Sequence, residues 1–146
     1  MRCEIRRAVP DGAKVLAEIG WKYFDETFAP YNNPENMTAF LQSTFNEEIQ
    51  GKEIADPLRR IFIAWLGETP MGYAHLYMGP PEPSIKGMRP VEILRFYVDA
   101  TGHGRGIAHD LMKVCLEEAK SLGFETLWLG VWEKNLKAQK IGRAHV

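Results

Sequence analysis

The sequence predicts a single α/β domain on a mixed sheet, with elements in the order β-α-α-β-β-β-α-β-α. Residues 91–98 read as a strand that empties into a glycine-dense turn, followed by a helix and another strand at 126–131, and such a crossover makes its two strands parallel. Residues 61–66 and 71–78 face each other across a Gly-Glu-Thr-Pro turn and read as an antiparallel hairpin. A chain of 146 residues with 45% hydrophobic content can bury one sizeable core.

Residues 3–8 alternate as a first strand, and Val9-Pro10-Asp11-Gly12 supplies a turn in which Asp11 is the expected cap of the first helix. That helix carries Val15, Leu16, Ile19, Tyr23 and Phe24 at helical spacing. A break at 28–33 is followed by a restart at Asn33-Pro34, with Asn33 as cap, Pro34 in the first turn and residues 36–47 as the body. After the hairpin, three prolines between Gly79 and Pro83 stop regular pairing until the strand at 91–98. The helix beginning near Gly106 places Ile107, Leu111, Val114, Cys115, Ala119 and Leu122 on one face.

The turn between that strand and that helix carries the chemistry. Gly102, Gly104 and Gly106 permit positive φ and close approach of backbone to a ligand, so N–H groups at the helix start can converge on an anion. A P-loop is excluded because no Lys-Ser or Lys-Thr follows the glycines. A dinucleotide turn needs G-x-G-x-x-G with an acid ending the second strand, whereas the spacing here is G-x-G-x-G and Glu125 precedes its strand.

The segment His103-Gly104-Arg105-Gly106-Ile107-Ala108 instead resembles the acyl-CoA signature of the GNAT superfamily of N-acetyltransferases, Gln/Arg-x-x-Gly-x-Gly/Ala. Gly106 and Ala108 match it, and His103 stands where the family prefers Gln or Arg. The stretch TLWLGVWEKN at 126–135 resembles the family's next strand, with Asn135 near the cofactor. Together with PYNNPENMTAFLQSTFN at 30–46, it resembles the Pai-type spermidine/spermine N-acetyltransferases of bacteria, and the resemblance runs over residues 1–139.

The resemblance implies a GNAT acyl-CoA fold, acetyl-CoA as co-substrate with no metal, and transfer of the acetyl group to a primary amine such as spermidine or spermine. It implies that the main chain at Tyr97 and Val98 holds the pantetheine arm and the thioester carbonyl in a wedge between splayed strands. It implies that residues 103–108 take the pyrophosphate, that the first two helices flank the acceptor, and that Glu92 matches a recurrent family carboxylate and is the candidate general base. Strand alternation sets Glu92 on the face of Leu94, Phe96 and Val98. Arg105 is a candidate for a direct phosphate contact. His75, alternating with Tyr73 and Tyr77, is expected to be a packed, hydrogen-bonded histidine. Two further functions stay open, an acyl-CoA-binding or regulatory module without turnover and acetylation of a protein or other small amine.

The last residues depart from the family pattern. Ile141-Gly142-Arg143-Ala144-His145-Val146 is what a common sequencing adapter encodes in one frame, ending at a stop codon, so residues 140–146 are expected to be adapter translation rather than native chain. On that reading the family's tyrosine acid and last two strands are missing, and the strand at 126–131 is an unpaired apolar edge that promotes self-association into a homo-oligomer. An independent read of the source DNA past the Gln139 codon tests it.

Composition narrows the partners. With 18 basic and 19 acidic residues and no basic run, nucleic acid is not expected as a partner. No apolar window is long enough to span a membrane, and the first residues lack an apolar signal core, so the expected location is the cytoplasm. Cys3 and Cys115 lack metal-ligand spacing and are expected as free thiols.

Overall fold

The computed structural model describes residues 3–79, 90–102, 104–129 and 144–145. Its strands are β1 (Glu4–Arg7), β2 (Arg59–Leu66), β3 (Thr69–Tyr77), β4 (Pro90–Val98), β5 (Thr126–Leu129) and β6 (Ala144–His145). They form one sheet in chain order, in which β4 and β5 are parallel and every other pair is antiparallel. The helices are α1 (Ala13–Phe28), α2 (Pro34–Thr44), α3 (Glu47–Ala55) and α4 (Ile107–Ser121).

The two faces of the sheet are covered by different helices. Ile107, Leu111, Cys115 and Ala119 recur every four residues and form the buried stripe of α4. Leu111, Cys115 and Ala119 pack on Phe62, Ala74, Leu76, Val91, Ile93 and Leu127. On the opposite face Leu16, Ile19 and Tyr23 of α1 pack on Ile61, Ile63 and Tyr73. A third cluster, Met37, Leu41 and Phe45 with Trp21, Phe24 and Phe28 around it, joins α1 to α2.

Three local expectations are corrected. Asp11 does not cap α1; it lies in a single 3-10 turn, Pro10–Gly12, and Gly12 stands at the cap without a side-chain bond. The helix expected over 36–47 is two helices. Asn33 caps the first by accepting from Glu35 N at 2.8 Å and Asn36 N at 3.2 Å, and Phe45 leaves helical geometry. Asn46 then caps α3 by accepting from Ile49 N at 2.8 Å, and Glu47 and Glu48 favour the positive end of the new helix dipole. That cap-plus-acids signature was present in the sequence.

The third correction is at the chain's end. The first half of β5 is paired on its outer side, because β6 sets Ala144 and His145 against Leu127 and Thr126. The helix expected after β5 falls outside the described residues. Cys115 is buried, Cys3 is half-buried, and both are free thiols.

Candidate active site

β4 carries a bulge that re-aims the site. Opposite β3, Tyr97 pairs with Tyr73, Phe96 with Ala74 and Arg95 with His75, but the next pair is Ile93 with Leu76, so Leu94 is an extra residue. The residue upstream then changes face: Glu92 pairs with Tyr77 and shares its side of the sheet with Arg95 and Tyr97. Simple alternation had set Glu92 with Phe96 and Val98. Phe96 instead packs in the α4 core and Val98 beside Ile107, so Glu92 stands on the α1 and α3 side, away from them.

Three tyrosines fill that side at the end of β4. Tyr23 stacks on Tyr73 at 6.2 Å and on Tyr97 at 6.1 Å between ring centroids, and Tyr73 lies 5.8 Å from Tyr97. Burial pushes the Tyr97 phenol up to about 12 against the opposing pull of Arg95, so it is a neutral hydroxyl at working pH. Burial likewise raises Tyr23 and Tyr73 well above the ordinary phenol range. The Tyr73 hydroxyl is buried without a hydrogen-bond partner among the described residues.

Beside the tyrosines lies a buried polar group. His75 is fully buried; Arg59 Nη1 is 3.0 Å from its Nε2, Arg95 Nη1 is 3.4 Å from its Nδ1, and Glu53 Oε1 is 3.8 Å from Nδ1. Arg95 also donates to Glu53 at 2.8 Å, tying α3 to the residue after the bulge. Burial, then Arg95 and Arg59, hold His75 far below its usual range, so the ring is neutral. A neutral ring accepts at one nitrogen only. The ring faces two guanidinium donors, Arg59 at Nε2 and Arg95 at Nδ1, and Arg59 is the nearer. His75 is the packed, hydrogen-bonded residue its alternation predicts.

The turn after β4 leaves its backbone open to solvent. Gly104 and Gly106 have φ of +85° and +79°, and a Cβ on either would meet nothing within 4 Å, so the space above their backbone is open. Gly106 stands at the cap of α4 without a side-chain bond, leaving first-turn N–H groups directed outward. Gly104, Arg105, Gly106 and Ala108 are exposed. Ile107 is the anchor below them, 2% exposed and packed with Ala64, Met71 and Val98. These features fit a pyrophosphate. His103 and Asn135 lie outside the described residues, and so does any splay of the strands after Ile93 and Leu129, where the described pairing of β4 with β5 ends.

Asp99 was not singled out from sequence, yet it joins the parts of the site. It is 9% exposed; it accepts from Thr101 Oγ1 at 2.7 Å, Thr101 N at 3.0 Å, Lys22 Nζ at 2.9 Å and Tyr23 OH at 3.3 Å. Its own N–H donates to Met71 O at 2.8 Å and its carbonyl accepts from Gly102 N at 2.9 Å. The bonds from Thr101 and then Lys22 hold its carboxyl well below the usual range. Only the DA pair at the strand's end marked it in the sequence, and its partners in α1 lie 76 and 77 residues away.

Residues 16–142 match the Acetyltransferase (GNAT) family. The chain belongs to the GNAT family. An uncharacterised N-acetyltransferase in the pepI 3' region of Lactobacillus delbrueckii subsp. lactis is 32% identical over 83% of this chain and 70% of its own length. The PaiA N-acetyltransferase of Thermoplasma acidophilum in complex with coenzyme A is similar in fold, with a TM-score of 0.80 at 19% identity over 97% of this chain and 86% of that one. The ribosomal-protein-alanine N-acetyltransferase of Brucella melitensis biovar Abortus 2308 is similar at a TM-score of 0.70 and 18% identity, over 97% of this chain and 80% of that one. The GNAT chain is thus an N-acetyltransferase by family, acetyl-CoA its co-substrate. Among the described residues no cluster of His, Cys, Asp or Glu could hold a metal ion, and no helix is long and apolar enough to cross a membrane.

Proposed function

We propose that this enzyme moves the acetyl group of acetyl-CoA to a primary amine of the polyamine class, with Glu92 as general base. The bulge in β4 carries the proposal, because it puts the Glu92 carboxylate on the same side of the sheet as Tyr97 and α1. An amine of ordinary pKa, near 10, arrives as an ammonium and must lose a proton before it can attack. Glu92 takes that proton, directly or through a water. The nitrogen then bonds to the acetyl carbonyl carbon, the carbon–sulfur bond breaks, and CoA leaves as the thiolate, which ends as the thiol by taking the second proton that the nitrogen sheds as the amide forms.

The remaining residues bind rather than react. Backbone groups at Tyr97 and Val98 hold the pantetheine arm and polarise the thioester carbonyl. Gly104, Arg105, Gly106, Ile107 and Ala108 hold the pyrophosphate; the resemblance implies the same contact for His103 and one to the cofactor for Asn135, both outside the described residues. The polyamine assignment rests on the likeness of residues 30–46 and 126–135 to Pai-type enzymes.

Two assays test the reading. Glu92→Gln should lower kcat/KM by about 10²-fold or more at neutral pH, and by less at high pH where the amine deprotonates unaided. An unchanged rate with an unchanged pH profile removes Glu92 from the mechanism. Thiol release from acetyl-CoA with spermidine, spermine or lysine-bearing peptides tests the acceptor, and turnover of a peptide beside silence on every polyamine assigns a protein amine instead. CoA binding with no thiol release on any amine identifies an acyl-CoA-binding module.

A further inference from the structure

We propose that Asp99 is a positioning residue for the acetyl-CoA site, a buried carboxylate that sets the pyrophosphate turn on α1 before the cofactor arrives. Glu92 and the identity of the acceptor play no part in it.

The carboxylate divides its work between two elements. Its Oδ1 accepts both from Thr101 Oγ1 at 2.7 Å and from Thr101 N at 3.0 Å, which bends the chain back as it leaves β4. Its Oδ2 accepts from Lys22 Nζ at 2.9 Å and Tyr23 OH at 3.3 Å, and both donors belong to α1. The backbone of the same residue bonds Met71 at the start of β3 and Gly102 at the start of the glycine turn. One residue therefore joins β3, β4, the turn and α1, and the turn runs from it into Gly104, Gly106 and the first turn of α4.

Glycines with positive φ have many alternative conformations, so an anion site built from them loses affinity whenever its N–H groups must be gathered on binding. The descent of Asp99 into a nine-tenths buried position, with both oxygens engaged, fixes one end of the turn. Ile107, buried beside Met71 and Val98, fixes the other. The open segment 104–106 is held between two anchors.

The test separates positioning of the turn from general support of the fold. CoA and pantetheine, which lacks the pyrophosphate, are each titrated against a fluorescent CoA conjugate bound to the whole chain. In Asp99→Ala the affinity for CoA should fall about tenfold or more while that for pantetheine stays within twofold, so the preference for CoA shrinks by the same factor. Thr101→Val, at an exposed position, should shift the preference the same way by a smaller factor. Asp99→Asn keeps an acceptor for Thr101 and sets an amide N–H₂ against Lys22, so it should lie between the two. A parallel loss of both affinities, or an undiminished preference for CoA, overturns the proposal. Should Asp99→Ala fail to fold, Thr101→Val decides, and a preference for CoA left at the wild-type value in it overturns the proposal.

Discussion

Gly72→Ala is expected to lower kcat/KM for acetyl-CoA about 100-fold and to cost about 1–3 kcal/mol of stability. Gly72 pairs with Val98, and a Cβ at position 72 would stand 2.6 Å from Tyr97 O and 3.1 Å from Val98 Cα. Both obstacles are main chain, so neither can rotate away, and β3 and β4 must separate at the residues proposed to hold the thioester. A shift of about 1 Å at a reacting centre is enough for a loss of that size. Gly51→Ala is the control: its Cβ would meet only Ala13 Cβ at 3.8 Å, in the interior of α3, where alanine should stabilise by up to about 1 kcal/mol. Steady-state kinetics with thermal unfolding of both variants checks the contrast. A Gly72→Ala enzyme with wild-type kcat/KM would show that β4 is not held at this crossing.

Acidification from pH 8 to pH 5 is expected to remove up to about 2 kcal/mol of stability through His75 alone, by proton linkage to an imidazole of unfolded pKa about 6.5. The sign follows from its surroundings. Burial and the cations of Arg95 and Arg59 depress the folded-state pKa, and the Glu53 carboxylate, 3.8 Å from Nδ1, does not offset them. Below about pH 6.5 the unfolded chain therefore binds a proton that the folded chain refuses, and stability falls as pH falls. Asp99 acts lower: its depressed carboxyl gives stability that is lost as pH falls from about 5 through the unfolded value near 3.9, so it adds little to the change between pH 8 and pH 5. His75→Gln, which keeps an acceptor for Arg59, should remove most of the loss between pH 8 and pH 5 in chemical denaturation. Equal losses in variant and wild type would mean that the ring is protonated in the fold.

Much of the fold was legible before any coordinates. The 3.6 period of Ile107, Leu111, Cys115 and Ala119, the alternation of the hairpin and the Asn33-Pro34 start of α2 are local signals, and each element formed where its signal lay. The glycine turn was legible for the same reason, since Gly104 and Gly106 both take positive φ, while Gly102, expected to share that freedom, sits buried in a 3-10 turn. The boundary between α2 and α3 was written in Asn46-Glu47-Glu48 as well, though an unbroken helical reading passed over it.

By itself, then, the sequence determined the order of the first five strands and of three of the four helices, the glycine turn and the resemblance that named an acyl-CoA enzyme, because all of these depend on residues near one another in the chain. The tertiary structure decided which way Glu92 faces, since a bulge appears only when two strands pair and one has a residue to spare. It decided the neutral state of His75, which depends on cations contributed by β2 and β4 and on burial beneath α3. It also decided the part played by Asp99, whose partners Lys22 and Tyr23 reach it only after α1 has packed across the sheet. Pairing register and long-range charge are properties of the folded chain, and no local pattern of residues encodes them.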